Sequence, residues 1–422
     1  MIDYKSIIKH DSKRISQYAL SFLKWILIAS LTGIIGGGVG ALFRYAIDYV
    51  TKIRGSYPFL YYLLPLGGVM IAFLYRATKL SGVADTNLII DSVRTDRKIP
   101  ILLAPVIFIS TVITHLFGGS AGREGAALQL GGTLGSFIGT VVKLDEKDMH
   151  IAVMCGMSGL FSALFGTPLT AALFAMEVIS VGVIYYSAFV PCMISALCAY
   201  GSTALLGLKP VSFMLEKVPD LNIRSILLTA CLGIGCAVVS IIFCLSLKWT
   251  HKLAAKYFQN EYLRTAVGGT AIVLLTLLIG TRYSGTGADV ISLAIESGEA
   301  LPYDFVLKIL FTALTIGFGY KGGEIIPTFF IGSTFGVLMG SLLGLPPQFA
   351  AAVGLVSLFC AVVNCPIASL VLSVELFGSS GIVLFAVSVA VSYMLSGYYS
   401  LYSGQKIMYS KRRARYINKN AK

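Results

Sequence analysis

Gly122-Arg123-Glu124-Gly125 in the first half of the chain is answered by Gly322-Gly323-Glu324-Ile325 in the second. The first is followed by Gly131-Gly132-Thr133-Leu134-Gly135 and the second by Gly332-Ser333-Thr334-Phe335-Gly336. In each half a glutamate follows glycine, and another glycine lies eight residues beyond the glutamate. Further on, Pro168 precedes Glu177 by nine residues and Pro366 precedes Glu375 by nine. Upstream, Ser81-Gly82-Val83-Ala84-Asp85 is echoed by Ser284-Gly285-Thr286-Gly287-Ala288-Asp289. Landmarks repeated in one order with nearly one spacing mean an internal duplication. Many transporters are built from two copies in opposite orientation, with the substrate near the midplane. The polar stretch 212–224, with Glu216, Lys217, Asp220 and Arg224, reads as the linker between a first repeat at 25–211 and a second at 225–404.

Composition says where such a chain resides. Of 422 residues, 56% are apolar and 13% charged, and the mean hydropathy is +0.82. Soluble domains carry about 25% charged residues, so this apolar excess has lipid to face. A membrane helix needs roughly 20 mostly apolar residues; the windows 25–43, 59–74, 99–115, 225–247, 263–279 and 381–396 are of this kind. The 44 glycines and 13 prolines fall inside these stretches as well as between them. Broken helices at membrane depth are tolerated where they are buried in protein or line a cavity, which favours a transporter over an anchor. The eight cysteines lie in apolar segments and read as small buried hydrophobes. His10, His115, His150 and His251 show no ligand spacing, so neither a metal nor a cofactor is expected.

The net charge of +13 is concentrated at the ends, in Lys5, Lys9, Lys13, Arg14 and Lys24 and in Lys406, Lys411, Arg412, Arg413, Arg415, Lys419 and Lys422. The positive-inside rule then puts both termini in the cytoplasm of a multi-pass protein of the inner (plasma) membrane. A basic tail is met as readily by anionic lipid headgroups as by nucleic acid, and nucleic acid is not expected as a partner. Asp3, Asp11 and Lys13 interrupt the place where a signal sequence would be apolar, and residues 1–24 read as an amphipathic surface helix. Residues 405–422 read as a basic cytoplasmic tail.

The glycine-rich break at 118–125 leads into the apolar run 126–142. The first turn of a helix has unpaired N–H groups, and these with the helix dipole make an anion site. The breaks at Ser81-Gly82 and at Gly322-Gly323-Glu324 are two more candidates. Several helix N-termini aimed at one spot neutralise an anion without a full positive charge, which would hold it too tightly to release. A carboxylate at Glu124 can occupy such a site itself. Its protonation frees the site and links anion passage to proton movement. The plainer reading of Glu124 is a helix cap. Arg123 is either the fixed partner of a buried acid or an element that steers anions to the entrance. Glu324 reads equally as a cap or as polar lining of the path, and Glu177 with Glu375 as structural or as a proton path.

Taken together these residues resemble the signatures of the CLC family of chloride channels and proton-coupled anion exchangers. Gly122-Arg123-Glu124-Gly125 is similar to the G-[KR]-E-G element, whose glutamate is the gate. Gly323-Glu324-Ile325-Ile326-Pro327 resembles the G-x-F-x-P element, whose amides face the central ion. Ser81-Gly82-Val83-Ala84-Asp85 resembles the G-S-G-I-P element, whose serine coordinates that ion, and Leu401-Tyr402-Ser403 the last element, whose tyrosine completes the site. Phe165-Gly166-Thr167-Pro168 and Asn364-Cys365-Pro366 resemble the paired N-x-P-like core elements. The match runs from about residue 20 to residue 410.

The resemblance implies an all-α polytopic membrane protein of two inverted-topology repeats of tilted and broken helices, assembled as a homodimer with one path per subunit. It implies Glu124 as gate, and Ser81, Tyr402, Gly122, Arg123, Gly125, Glu324, Ile325 and Ile326 as the anion site, with Glu177 as a candidate for the proton path. Leu80 and Ala84 depart from the serine element, and Ile325 from the phenylalanine. The internal glutamate of the familiar bacterial exchangers falls on Val178, as in the channel branch and in the fluoride-exporting branch. Gly322-Gly323-Glu324-Ile325-Ile326-Pro327 and Gly166-Thr167-Pro168 resemble that fluoride branch, whereas its central methionine has no counterpart near Ser81. On the surviving Ser81 and Leu401-Tyr402-Ser403 elements chloride is the expected cargo, with fluoride exchanged against protons as the alternative. An intramembrane acid–base enzyme built on Glu124 and Glu324 is the reading of another class, and no nucleophile, metal set or cofactor motif accompanies those acids.

Overall fold

The computed structural model describes residues 4–82, 85–95 and 97–422, with side chains from residue 14 onward. Among them are sixteen α-helices, eight in each half. The first half holds α1 (Tyr4–Ser56), α2 (Leu64–Ala77), α3 (Thr86–Ser92), α4 (Leu103–Leu116), α5 (Glu124–Val141), α6 (Glu146–Phe165), α7 (Pro168–Glu177) and α8 (Phe189–Leu205). The second holds α9 (Ile223–Tyr257), α10 (Glu261–Ile279), α11 (Ala288–Glu296), α12 (Asp304–Gly317), α13 (Ile325–Leu343), α14 (Pro347–Val363), α15 (Pro366–Phe377) and α16 (Ile382–Leu395). Seven are long and apolar enough to cross a membrane, and four more are shorter and apolar. The fold is the all-α, twofold-repeated membrane architecture that the duplicated landmarks imply.

Equivalent helices pack alike: α5 on α6 and α13 on α14, α1 on α8 and α9 on α16. Across the halves, α2 meets α10, α5 meets α13 and α7 meets α15, so each touches its own counterpart about a pseudo-twofold axis. The innermost helices are α6 and α14, buried without a break from Ala152 to Phe165 and from Phe349 to Val363. Such helices admit small residues where backbones touch. A β-carbon on Gly156 would collide with the carbonyl of Gly131 in α5, and one on Gly354 with that of Gly332 in α13.

Each half turns from its buried helix into the next in the same way. Gly166 (φ 72°) and Asn364 (φ 56°) end α6 and α14 in the left-handed conformation, which Gly and Asn tolerate best. One non-helical residue follows, then a proline at the first helical position, where its missing N–H costs nothing. The nine-residue spacing from that proline to glutamate has its explanation here. Glu177 at the end of α7 accepts hydrogen bonds from the amides of Ile367 (3.2 Å) and Ala368 (2.9 Å) at the start of α15. Glu375 in α15 accepts from Leu169 (2.9 Å) and Thr170 (2.8 Å) at the start of α7. Each half thus caps the other's orphan N–H groups.

Three details differ from the sequence reading. No glycine or proline interrupts residues 4–32, and α1 continues through residue 24 into the first span, so residues 4–24 are not a separate element. Residues 405–422 form no free tail. Lys406–Tyr409 (β2) pairs parallel with Ser180–Val181 (β1) and antiparallel with Tyr416–Asn420 (β3). The two glutamates of the duplicated motif, finally, are not equivalent. Gly131 and Gly135 occupy the places of Gly332 and Gly336 against the neighbouring helix, and Gly122 pairs with Gly323. Glu124 therefore stands opposite Ile325, and Arg123 opposite Glu324.

Glu177→Gln and Glu375→Gln each remove one charged acceptor from a helix start, which costs about 1–3 kcal/mol. Either substitution is expected to lower the melting midpoint of the detergent-solubilised protein; an unchanged midpoint for both would remove the reciprocal cap. Gly156→Ala is expected to yield no folded protein by size-exclusion chromatography. Gly38→Ala is expected to behave as wild type, because no atom lies within 4 Å of the added methyl.

Candidate functional site

The two halves meet at one antiparallel bridge. Gly122 N–H donates to the Gly323 carbonyl (2.6 Å), and Gly323 N–H donates to that of Gly122 (2.8 Å). Side chains have no room in this exchange: a β-carbon on Gly122 would lie 2.6 Å from Glu124 Oε2 and 3.2 Å from the Gly323 carbonyl oxygen. The bridge brings the N-termini of α5 and α13 together at the centre of the molecule.

Glu124, the first residue of α5, is fully buried. Its Oε2 accepts from the Arg123 N–H (2.9 Å), and the Ile326 amide at the start of α13 faces the same carboxylate. Oε1 takes no hydrogen bond within the protein and stands 3.5 Å from Arg123 Nε. Arg123 stands at the N-cap position of α5, and its side chain reaches Asp48 on α1 through Nη1 (3.4 Å). The carboxylate therefore lies on the start of α5, with the start of α13 brought against it by the bridge, in the position where an anion would be neutralised.

Across the bridge Glu324 stands at the N-cap position of α13 but makes no side-chain cap bond; its Oε2 lies beside Gly125 without a hydrogen-bond partner. Ile325 is buried as the first residue of α13 and contributes backbone. Glu324 lines a cavity of about 600 Å³ together with Gly322, Ser81, Gln129, Lys321 and Tyr402. The Tyr402 side chain is 2% exposed, and its hydroxyl engages no protein group.

Tyr402 is held by contacts that have no motif. Leu401 N–H donates to the Val362 carbonyl (2.9 Å). Gln405, fully buried, donates to the carbonyls of Val178 (3.0 Å) and Val363 (2.8 Å) and accepts from Asn364 (3.0 Å). Gln405 so ties the tyrosine turn to the ends of α7 and α14. It was missed because a glutamine near a basic terminus carries no sequence signal.

Ser81 is on the cavity wall, but its hydroxyl donates to the Glu261 carboxylate of α10. Val83 and Ala84 of that element lie outside the described residues. Asp85 caps α3 by accepting from the Leu88 amide (3.0 Å). Glu177 is away from this centre with both oxygens engaged on α15. Glu124, Gly122, Arg123, Gly125, Glu324, Ile325, Ile326 and Tyr402 are thus gathered at one place, Ser81 at its edge, and Glu177 outside it.

Against known proteins the picture is consistent. Residues 67–397 match the sequence model of the family described as Voltage gated chloride channel. A "Chloride/fluoride channel protein" of Pseudomonas syringae pv. tomato is 33% identical over 399 residues, covering 92% of this chain and 87% of its own. An H(+)/Cl(-) exchange transporter of Vibrio cholerae is 26% identical, over 85% of this chain and 83% of its own. A crystal structure of a CLC-type fluoride/proton antiporter superposes with a TM-score of 0.88 at 34% identity, covering 91% of this chain and 98% of that one. Fold and site therefore define a multi-pass membrane protein of the anion-transporting kind. The chain belongs to the voltage gated chloride channel family, CLC.

Tyr402→Phe deletes a hydroxyl that nothing in the protein uses. The melting midpoint is expected to hold while halide affinity, read by titration calorimetry, falls about two- to tenfold, the worth of one hydrogen bond. A loss of stability with unchanged affinity would make Tyr402 a packing residue.

Proposed function

We propose that the chain moves small halides across the membrane in exchange for protons, with fluoride as the favoured anion and Glu124 as the gate. The observation that carries this reading is the buried Glu124 carboxylate lying on the Arg123 amide where the starts of α5 and α13 are brought together. An anion and a carboxylate compete for one set of N–H groups. The ion enters when Glu124 takes a proton and swings away, and the proton leaves when the carboxylate returns. Each cycle thereby couples the two fluxes. Tyr402, the amides at Glu124–Gly125 and at Glu324–Ile326, and Ser81 at the cavity edge form the ion's path.

Fluoride is favoured by Glu324. A second carboxyl at the cavity, in Gly322-Gly323-Glu324-Ile325-Ile326-Pro327, donates a strong O–H hydrogen bond when protonated, and fluoride is the halide that accepts such bonds best. The names of the Pseudomonas relative and of the fluoride/proton antiporter point the same way. Chloride is the second reading, supported by Ser81 and the Leu401-Tyr402-Ser403 element and by the name of the Vibrio exchanger. Val178 leaves no glutamate at the usual internal position. Since Glu177 spends both oxygens on α15, Glu324 is the better candidate for proton relay. The named relatives are transporters and channels, which leaves the acid–base enzyme without support. The remaining features of the reading are an inner-membrane homodimer with both termini cytoplasmic and repeats at 25–211 and 225–404.

Reconstitution into liposomes, with fluoride, chloride and proton movements recorded together, tests it. Fluoride efflux with opposed proton movement is expected, and Glu124→Ala is expected to pass anion without its pH dependence. Anion flux without protons would reduce the protein to a channel. Chloride flux above fluoride flux would reverse the substrate, and no halide flux at all would overturn the function.

A further inference from the structure

Two cations are buried at one backbone turn, and neither has a carboxylate partner. Lys308 of α12 is fully buried; its Nζ donates to the carbonyls of Gly285 (2.8 Å) and Tyr283 (3.1 Å) and lies 5.1 Å from the centre of the Phe330 ring. Arg54, at the end of α1, is 6% exposed. It donates to the Tyr61 hydroxyl (3.2 Å) and to the His115 carbonyl, and a β-carbon on Gly285 would meet its Nη2 at 2.8 Å. The two side chains flank Gly285. Carbonyls and a ring face satisfy their N–H groups but leave both charges in place, and charge buried in this way is costly until a counter-charge arrives. Asp304, the acid on the same helix as Lys308, is taken by Arg282 (3.0 and 2.8 Å) and Tyr283 (2.7 Å). Among the described residues no acid lies within ion-pair distance of Arg54 or Lys308.

Beside Gly285 the Ser284 side chain is 7% exposed, and its hydroxyl has no partner. His115, whose carbonyl holds Arg54, uses Nδ1 on the Thr111 carbonyl (2.8 Å) and leaves Nε2 unengaged. Gly285 N–H donates to the Gly119 carbonyl (3.2 Å), which ties this turn to the break that runs on to Glu124.

We propose that this turn is a second small-anion site, in which Ser284 donates its hydroxyl and Arg54 and Lys308 supply the charge. The duplication supports it, because Ser284-Gly285 is the counterpart of Ser81-Gly82 in the other half. Arg54, Ser284 and Lys308 do not line the Tyr402 cavity. In inverted repeats equivalent turns face opposite sides of the membrane, so this site serves the entrance on the far side of the gate. The ligand assigned to it is a halide. That assignment rests on the halide reading given above.

Titration calorimetry of the purified full-length chain with sodium fluoride and sodium chloride at constant ionic strength tests it. More than one halide per subunit is expected for wild type. Ser284→Ala should weaken one class at least fivefold, and Lys308→Met should abolish that class, while Tyr402→Phe weakens the other. If Tyr402→Phe alters binding but Ser284→Ala leaves the isotherm unchanged, this site is overturned and the transport reading stands. Wild-type protein that binds neither halide sinks both. Should Lys308→Met fail to fold, the volume-sparing Ser284→Ala decides alone.

Discussion

The molecule depends on two hydrogen bonds, exchanged between Gly122 and Gly323 where the halves meet. Backbone that leaves helical geometry inside a membrane must satisfy its own N–H and C=O groups or present them to a cavity. Here one strand-like exchange does the first, and the helix starts on either side do the second. Because both partners are glycine, α5 and α13 approach until their terminal amides converge. The Glu124 carboxylate on those amides, the Glu324 carboxyl beside Gly125 and the cavity reaching Tyr402 all follow from that approach.

Symmetry builds the scaffold, and departures from symmetry build the site. Glu177 and Glu375 are strict counterparts with reciprocal roles, and each closes a helix start in the other half. At the centre the counterparts differ in chemistry. Glu124 faces Ile325 and Arg123 faces Glu324, so the two carboxyls sit one step out of register across the bridge. A symmetric pair would make both sides of the bridge alike. The offset instead makes one carboxylate the occupant of the amide cradle and the other a wall of the cavity. Asn364 in place of Gly166 is a second departure of this kind, for its side chain holds Gln405 and the Tyr399 carbonyl and so fixes the turn that carries Tyr402.

Repeated landmarks were legible because they are local: glycine at a close approach, proline at a helix start and glutamate at a helix end each leave a mark at fixed spacing. The resemblance to a known family rested on the same short elements, and Glu124 with its glycines was found from them. What could not be read were the contacts that span the chain. The bond from Ser81 to Glu261 joins different halves, and Gln405 reaches both Val178 and Val363. Such partners are chosen by tertiary packing and leave no period in the sequence. The register of the two glutamates was hidden for a related reason. Equal glycine spacing after each glutamate aligns the letters, whereas helix packing aligns Gly131 with Gly332 and moves one glutamate out of line.

Charge is distributed in keeping with transport. Full charges of both signs line the cavity, with Lys248, Lys252, Arg264 and Lys321 facing Asp85, Glu261 and Glu324. Lys321 is turned onto the Tyr75 ring, 4.3 Å from its centre. At Glu124 the donor to Oε2 is the Arg123 amide, with the Arg123 guanidinium 3.5 Å from Oε1, and Tyr402 offers an unengaged hydroxyl. Mobile or paired cations raise the local anion concentration over distances near the Debye length. Dipoles act over a few ångströms and release their ion once a competing carboxylate returns. In the proposed cycle, amide and hydroxyl donors at the centre, with Arg123 held on Asp48 and Glu124 beside them, would allow binding tight enough to select and weak enough to turn over.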